Sequence, residues 1–137
     1  MTAGSRREAR ERALSILYEA DAKDIAVSEV LAAATVDPDR FAVELVEGVE
    51  KHREAFDAII RERAVGWQLE RMPVLDRCLL RIALYELLEG GTPTGAAISE
   101  AVELAKRYST EDSARFINGV LAAVVKGREA PEGDEAD

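Results

Sequence analysis

The sequence predicts an all-α fold, and three observations support this prediction. Apolar residues recur at intervals of three and four in almost every segment, which is the spacing of one buried helix face. No segment alternates apolar and polar residues as a half-buried strand would. Pro38, Pro73 and Pro93 fall between the periodic segments, where helices commonly start. We therefore expect a compact bundle of about seven helices in two packed subdomains.

Four helices are predicted in the N-terminal half. The first covers residues 5–22, and a short second helix covers residues 28–34. The stretch "TVDPDRF" predicts the start of the third helix, with Asp37 as its cap and Pro38 in its first position. A fourth helix ends near Gly66. The first helix has one apolar stripe, formed by Ala9, Ala13, Ile16, Leu17 and Ala20.

Three more helices are predicted after an internal boundary at residues 65–73, which contain "GWQLERMP". The segment "PVLDRCLLRIALYELLE" is apolar on most sides, so we expect it to form a central, buried helix. "AAISEAVELAKRY" forms the next helix, and "EDSARFINGVLAAVV" forms the last. Residues 1–127 are thus predicted to form one helical domain. Residues 128–137 have one arginine, five carboxylates and no apolar period, which predicts a disordered acidic tail.

Composition argues against several classes of function. The formal net charge of −9 disfavours non-specific binding to nucleic acids or membranes. The chain has one cysteine, Cys78, and one histidine, His52, which offer neither a disulfide nor a zinc-ligand spacing. There is no P-loop and no dinucleotide-binding glycine motif. We expect a cytoplasmic binding protein that is not an enzyme, with no metal or cofactor and no membrane segment.

The stretch "SRREARERA" is the exception to the acidic composition, because it places four arginines against two glutamates at residues 5–12. On an ideal helix Arg6, Arg7 and Arg10 fall within an arc of about 100° beside the apolar stripe. Tyr18 lies on the same line of the helix as Arg7. Guanidinium groups beside an aromatic ring suit a nucleic-acid strand. A solvated face of mixed charge explains the same pattern equally well.

Two long stretches decide between these interpretations. "LDRCLLRIALYELLEG" followed by "AISEAVELAKRYSTEDSARFINGVLAAVV" resembles the family of the transcription antitermination factor NusB, and "RREARERALSILYEA" resembles the start of that family. The resemblance covers residues 6–125 in the right order, although residues 22–64 match only in their helical pattern. It implies an all-helical fold that binds boxA, a short single-stranded RNA element of ribosomal RNA leader transcripts.

The resemblance also implies partners and residue roles. The expected protein partner is a small-subunit ribosomal protein, called NusE in this role, within the RNA polymerase antitermination complex. The residues that match the family's RNA-binding helix are Arg6, Arg7, Arg10 and Tyr18. Asp76 and Arg77 match the partner-facing region, although a first-turn acid such as Asp76 is also favoured by the helix dipole alone. The acidic remainder of the chain suits a basic ribosomal protein.

Three further RNA-binding candidates lie near the junction of the last two helices. Tyr108 and Asp112 belong to "RYSTEDS", whose unpaired backbone amides could meet a phosphate or a ribose. Helix capping accounts for this segment equally well. Phe116 could stack on a base, but the spacing of Phe116, Val120 and Val124 favours core packing.

Two departures from the family pattern predict weak RNA binding by the isolated chain. Gly95 and Ser99 stand where the family often has a basic or larger residue and an asparagine. Three or four phosphate contacts give a single-strand salt slope of only about −2 to −3.

A second function from another class is a homodimeric protein-interaction module whose RNA face is occluded in the dimer.

Overall fold

The computed structural model describes the backbone of residues 3–136 and the side chains of residues 6–128. That part of the chain forms seven α-helices and one short 3-10 helix, with no strand, which confirms the all-α prediction. In chain order the α-helices are α1 (Ala3–Lys23), α2 (Val27–Ala33), α3 (Arg40–Lys51), α4 (Arg53–Arg63), α5 (Val74–Leu88), α6 (Thr94–Tyr108) and α7 (Glu111–Ala136). The 3-10 helix, Leu69–Arg71, lies between α4 and α5.

Helix α5 is the centre of the bundle. It packs against α1, α3, α4, α6 and α7, and the side chains of Leu79, Leu80 and Leu84 are almost completely buried. A helix that is covered on most sides needs apolar residues around most of its circumference. The sequence-based prediction of a central helix is therefore confirmed. Helix α1 also packs against α2 and α3, and α6 packs against α7.

Helix α3 starts two residues later than the sequence predicts. Its N-cap is Asp39 rather than Asp37, because the Asp39 carboxylate accepts a hydrogen bond of 2.7 Å from the backbone N–H of Phe41. Pro38 therefore precedes the cap instead of occupying the first helical position. Both candidates are aspartates near a proline, so the local sequence does not distinguish them. The later start places Phe41 and Ala42 in the core.

The described backbone begins and ends in a helix. Helix α1 begins at Ala3, two residues before the predicted start at Ser5. The backbone of α7 runs to Ala136. The acidic tail at residues 128–137 stays a prediction from the sequence. The side chains of residues 129–137 lie outside the described residues.

Buried ion pairs fix α1 and α4 to α5. Arg81 of α5 donates to Asp57 at 2.8 Å and to Asp21 at 3.0 Å, and Arg53 donates to Asp21 at 2.7 Å. Burial alone would raise the pKa of Asp21, but hydrogen bonds and charges from Arg53 and Arg81 outweigh burial and lower it. Asp21 therefore stays ionised at neutral pH and holds the C-terminal part of α1 in place.

Two structural details bear on the class of function. Cys78 is 1% exposed, and burial raises the pKa of its thiol to about 12, so the side chain is an uncharged packing group at neutral pH. Among the described residues, no helix combines the length and the apolar character that a membrane span requires.

Candidate functional site

Charged side chains of α1 and α6 face each other across a surface that we call the α1–α6 seam, defined by Arg7, Glu11, Glu100, Arg107 and Tyr108. Arg7 donates two hydrogen bonds to Glu100, from Nε to Oε1 at 3.1 Å and from Nη2 to Oε2 at 2.9 Å. One turn along α1, Oε2 of Glu11 accepts from Arg107 at 2.7 Å and from the Tyr108 hydroxyl at 2.8 Å. Two guanidinium groups thus lie on one face, each paired with a carboxylate.

The pKa values of Arg7 and Glu100 indicate that this pair is ionised at neutral pH. The hydrogen bonds to Glu100, followed by the charge of Glu100, raise the pKa of Arg7. The hydrogen bond from Arg7 lowers the pKa of Glu100 and outweighs the opposing effect of burial. The hydrogen bond to Glu11 raises the pKa of Arg107 in the same way. The seam therefore holds charge of both signs.

An open groove of about 630 Å³ adjoins the seam, and we call it the aromatic groove. The rings of Tyr18 and Tyr108 are 46% and 49% exposed, so both aromatic side chains are accessible to a ligand. Glu11 and Tyr108 belong to both the seam and the groove, which makes the two features continuous. The groove is lined by Glu11, Leu14, Ser15, Tyr18, Pro73, Val74, Leu75, Tyr108 and Ser109.

Arg6 lies at the exposed surface of α1. Its guanidinium carbon is 3.9 Å from the centroid of the Phe41 ring, a cation–π contact between α1 and α3. It makes no ion pair with another described residue. The structure therefore places Arg6 and Arg7, two of the three arginines singled out in the sequence, at the surface of α1.

Arg10 is the exception, and its position corrects the expectation of three exposed arginines. It is 7% exposed, and it donates two hydrogen bonds of 2.8 Å to Glu86, which is 1% exposed. Thr92 donates a third hydrogen bond to Glu86 at 2.7 Å. The side of α1 that carries Arg10 faces α5. The bundle therefore covers more of the circumference of α1 than the apolar stripe alone indicates. Arg10 is therefore paired in the interior and does not present a free guanidinium at the surface.

Asp76 also differs from its expected place on a partner-facing surface. It is 3% exposed, and its carboxylate accepts hydrogen bonds from Ser109 at 3.1 Å and from Ser113 at 2.8 Å. These hydrogen bonds hold the α6–α7 junction against the N-terminal turn of α5. The carboxylate of Asp76 is buried by this contact. Arg77 is half-buried, and its Nη1 lies 3.4 Å from the carbonyl oxygen of Leu69. Its Nε is buried with no acceptor within the described part of the chain.

The remaining two candidates lie away from the aromatic groove. Asp112 is exposed in the first turn of α7 and pairs with Arg115. Phe116 is half-buried, packs against the core, and lies 5.3 Å from the ring of Trp67 with an interplanar angle of 52°. This contact favours the packing role of Phe116 that its spacing in the sequence indicates. Of the candidates near the α6–α7 junction, only Tyr108 lines the aromatic groove together with Tyr18.

Sequence reasoning missed the acidic members of the seam and Arg107. Arg107 is adjacent to Tyr108 and follows Lys106, so a basic pair beside a tyrosine was the available signal. Glu11 and Glu100 had no comparable signal, because carboxylates are common on exposed helix faces. Their place in the seam depends on hydrogen bonds between residues that are 93 to 97 positions apart in the chain.

Comparison with known proteins gives consistent matches along most of the chain. A model of the NusB family matches residues 7–126. A "Transcription antitermination protein NusB" from Acidothermus cellulolyticus is 50% identical over 125 residues, which cover 88% of this chain and 86% of that protein. A protein of the same description from Symbiobacterium thermophilum is 44% identical, with coverage of 96% and 97%.

Solved structures agree with the sequence matches. T. maritima NusB superposes with a TM-score of 0.80 at 32% identity, covering 96% of this chain and 97% of that chain. A crystal structure described as antitermination factors NusB and NusE in complex with dsRNA superposes with a TM-score of 0.79 at 27% identity, covering 92% and 99%. The similarity thus extends over the whole helical bundle.

Proposed function

The chain belongs to the NusB family of transcription antitermination proteins, and we propose that it binds boxA-type single-stranded RNA together with NusE. In this proposal the complex acts in the cytoplasm, on the leader transcripts of ribosomal RNA, and helps RNA polymerase pass termination signals. The chain acts by binding and not by catalysis.

One observation carries the RNA-binding proposal: the guanidinium groups of the α1–α6 seam adjoin two half-exposed tyrosine rings. Arg7 and Arg107 of the seam, together with the exposed Arg6 on α1, supply positive charge for phosphates, which positions a strand without reading its sequence. Tyr18 and Tyr108 supply flat surfaces on which unpaired bases can stack. Stacking of this kind needs bases that are not already paired in a duplex, which favours a single strand.

The proposed partner surface lies at the start of α5, beside the aromatic groove. Pro73 is exposed and Arg77 is half-buried there, whereas Asp76 shapes the surface from inside by holding the α6–α7 junction. A chain with a net charge of −9 repels RNA at long range. A basic ribosomal protein bound beside the groove would reduce this repulsion, which explains why we expect strong RNA binding only with NusE present.

The test is a titration of three RNAs of equal length into the protein with NusE present throughout: a boxA-like strand, a scrambled strand, and the boxA-like sequence as a duplex. We expect the boxA-like strand to bind tightest. We also expect its affinity to fall as salt rises, with a slope of log K against log salt of about −2 to −3. Fluorescence anisotropy of end-labelled RNA measures both quantities.

The other outcomes are equally informative. Equal and negligible binding of all three RNAs would contradict the proposal and favour the homodimeric interaction module, for which a dilution series of the molecular mass is the direct check. Preference for the duplex would keep RNA binding but contradict stacking of unpaired bases in the aromatic groove.

A further inference from the structure

Both guanidinium groups of the α1–α6 seam are already occupied in the protein without RNA. Arg7 is held by two hydrogen bonds to Glu100, which is the bidentate geometry that a phosphate would use. Arg107 is held by Glu11. A phosphate that binds Arg7 must therefore take the place of a carboxylate that makes an equivalent pair of bonds.

Glu100 has a second positive neighbour in the interior of the protein, whereas Arg7 is the more exposed member of the pair. The side chain of Glu100 is 19% exposed and that of Arg7 is 42% exposed. Nη1 of the buried Arg10 lies 3.7 Å from Oε1 of Glu100, and Arg10 is itself fixed by Glu86. The carboxylate thus keeps a positive neighbour if Arg7 turns away. Arg7 can exchange between Glu100 and an external anion without leaving Glu100 unpaired.

We propose that Glu100 lowers the affinity of the seam for RNA by occupying Arg7 until an RNA phosphate displaces it. The inference rests on the proposed RNA-binding function and adds a competing group to it. Glu100 is a positioning residue in this account, because it acts through Arg7 and does not contact the RNA.

Exchange of one anion for another explains how a paired arginine restrains RNA binding. Each new contact between Arg7 and a phosphate costs a contact of the same type with Glu100, whichever strand supplies the phosphate. An RNA whose bases also fill the aromatic groove gains stacking energy that does not depend on Arg7. Polyanions that offer only phosphates are therefore held weakly, while a strand that fits the groove still binds.

The test compares Glu100→Gln with the wild-type chain in RNA titrations with NusE present. Glutamine keeps the shape of the side chain but removes its charge, so Arg7 becomes available. We expect affinity for the scrambled strand to rise about three- to tenfold, which is the range for loss of a partly exposed ion pair together with its repulsion of phosphate. The boxA-like strand should gain by a similar or larger factor, because Glu100 competes with its phosphates for Arg7 in the same way. The salt slope for the scrambled strand should steepen by about 0.7, as for one additional phosphate contact.

Two matched controls separate this mechanism from a general loss of negative charge. Glu103→Gln removes the same charge one turn further along α6, where Glu103 pairs with Lys106 at 4.0 Å and makes no hydrogen bond to Arg7. Combining Glu100→Gln with Arg7→Gln removes the arginine that the proposal says is released. We expect little gain from Glu103→Gln, and we expect Arg7→Gln to abolish the gain from Glu100→Gln.

Equal gains from Glu100→Gln and Glu103→Gln would overturn the proposal, as would a gain that persists without Arg7. In both cases RNA binding itself, and therefore the proposed function, would stand. Absence of RNA binding by the wild-type chain and by Glu100→Gln at low salt with NusE present would instead overturn the proposed function, and this inference with it.

Discussion

Replacement of Arg10 with methionine is expected to lower the free energy of unfolding by about 3–5 kcal/mol, the range for a buried ion pair that loses one partner. Glu86 is 1% exposed and would retain only the hydrogen bond from Thr92. Its charge would then lack compensation inside the bundle. Chemical denaturation measures the loss, and the melting temperature should fall by roughly 10–20 °C in a chain of this size.

The control for Arg10→Met is the double replacement Arg10→Met with Glu86→Leu. Apolar residues of similar volume in place of a buried ion pair are often neutral or stabilising, so the double variant should recover most of the lost stability. A loss below about 1 kcal/mol for Arg10→Met is typical of an exposed pair and would contradict the buried position of Arg10. Such a result would return Arg10 to the set of surface arginines.

Replacement of Tyr18 with alanine is expected to lower the affinity for boxA-like RNA by about 1–3 kcal/mol, the measured range for one base stacked on an aromatic ring. This corresponds to an increase in Kd of roughly 5- to 150-fold. The ring is 46% exposed, so its removal leaves no large cavity in the core and thermal stability should change little. Anisotropy titrations of wild type and variant under one salt condition give the comparison.

The control for Tyr18→Ala is Tyr18→Phe, which keeps the ring and removes only the hydroxyl. We expect this variant to bind RNA almost as the wild type does. If both variants lose affinity equally, the hydroxyl is the important group and stacking in the aromatic groove is contradicted. If Tyr18→Ala affects only binding of NusE, Tyr18 belongs to the partner surface instead.

The helices and their order follow from the sequence because apolar periodicity reports directly which face of each helix is buried. The central position of α5 was predictable for the same reason, since its apolar residues surround most of the helix. The start of α3 was less predictable, because Asp37 and Asp39 both satisfy the local rules for a cap. Which of them caps the helix depends on the placement of Phe41 against the core.

The site was predictable only in part, because its chemistry depends on contacts between distant residues. Arg10 and Glu86 are 76 positions apart, and Arg7 and Glu100 are 93 positions apart. A helical projection of α1 places Arg6, Arg7 and Arg10 in one arc but contains no information about α5 or α6. It therefore cannot show that Arg10 turns inward while Arg7 stays at the surface. The burial of Asp76 was not predictable for the same reason, because its partners Ser109 and Ser113 come from the α6–α7 junction.

The measurement that tests the central claim most directly is the mapping of RNA on the protein by nuclear magnetic resonance. Isotope-labelled protein bound to unlabelled NusE is titrated with boxA-like RNA, and shifts of the backbone amides and of the arginine Nε–H groups are followed. The account predicts the largest shifts at Arg7, Tyr18 and Tyr108, along the α1–α6 seam and the aromatic groove, with little change at the buried Arg10. Shifts concentrated on α3 and α4, with an undisturbed Arg7 signal, would contradict it.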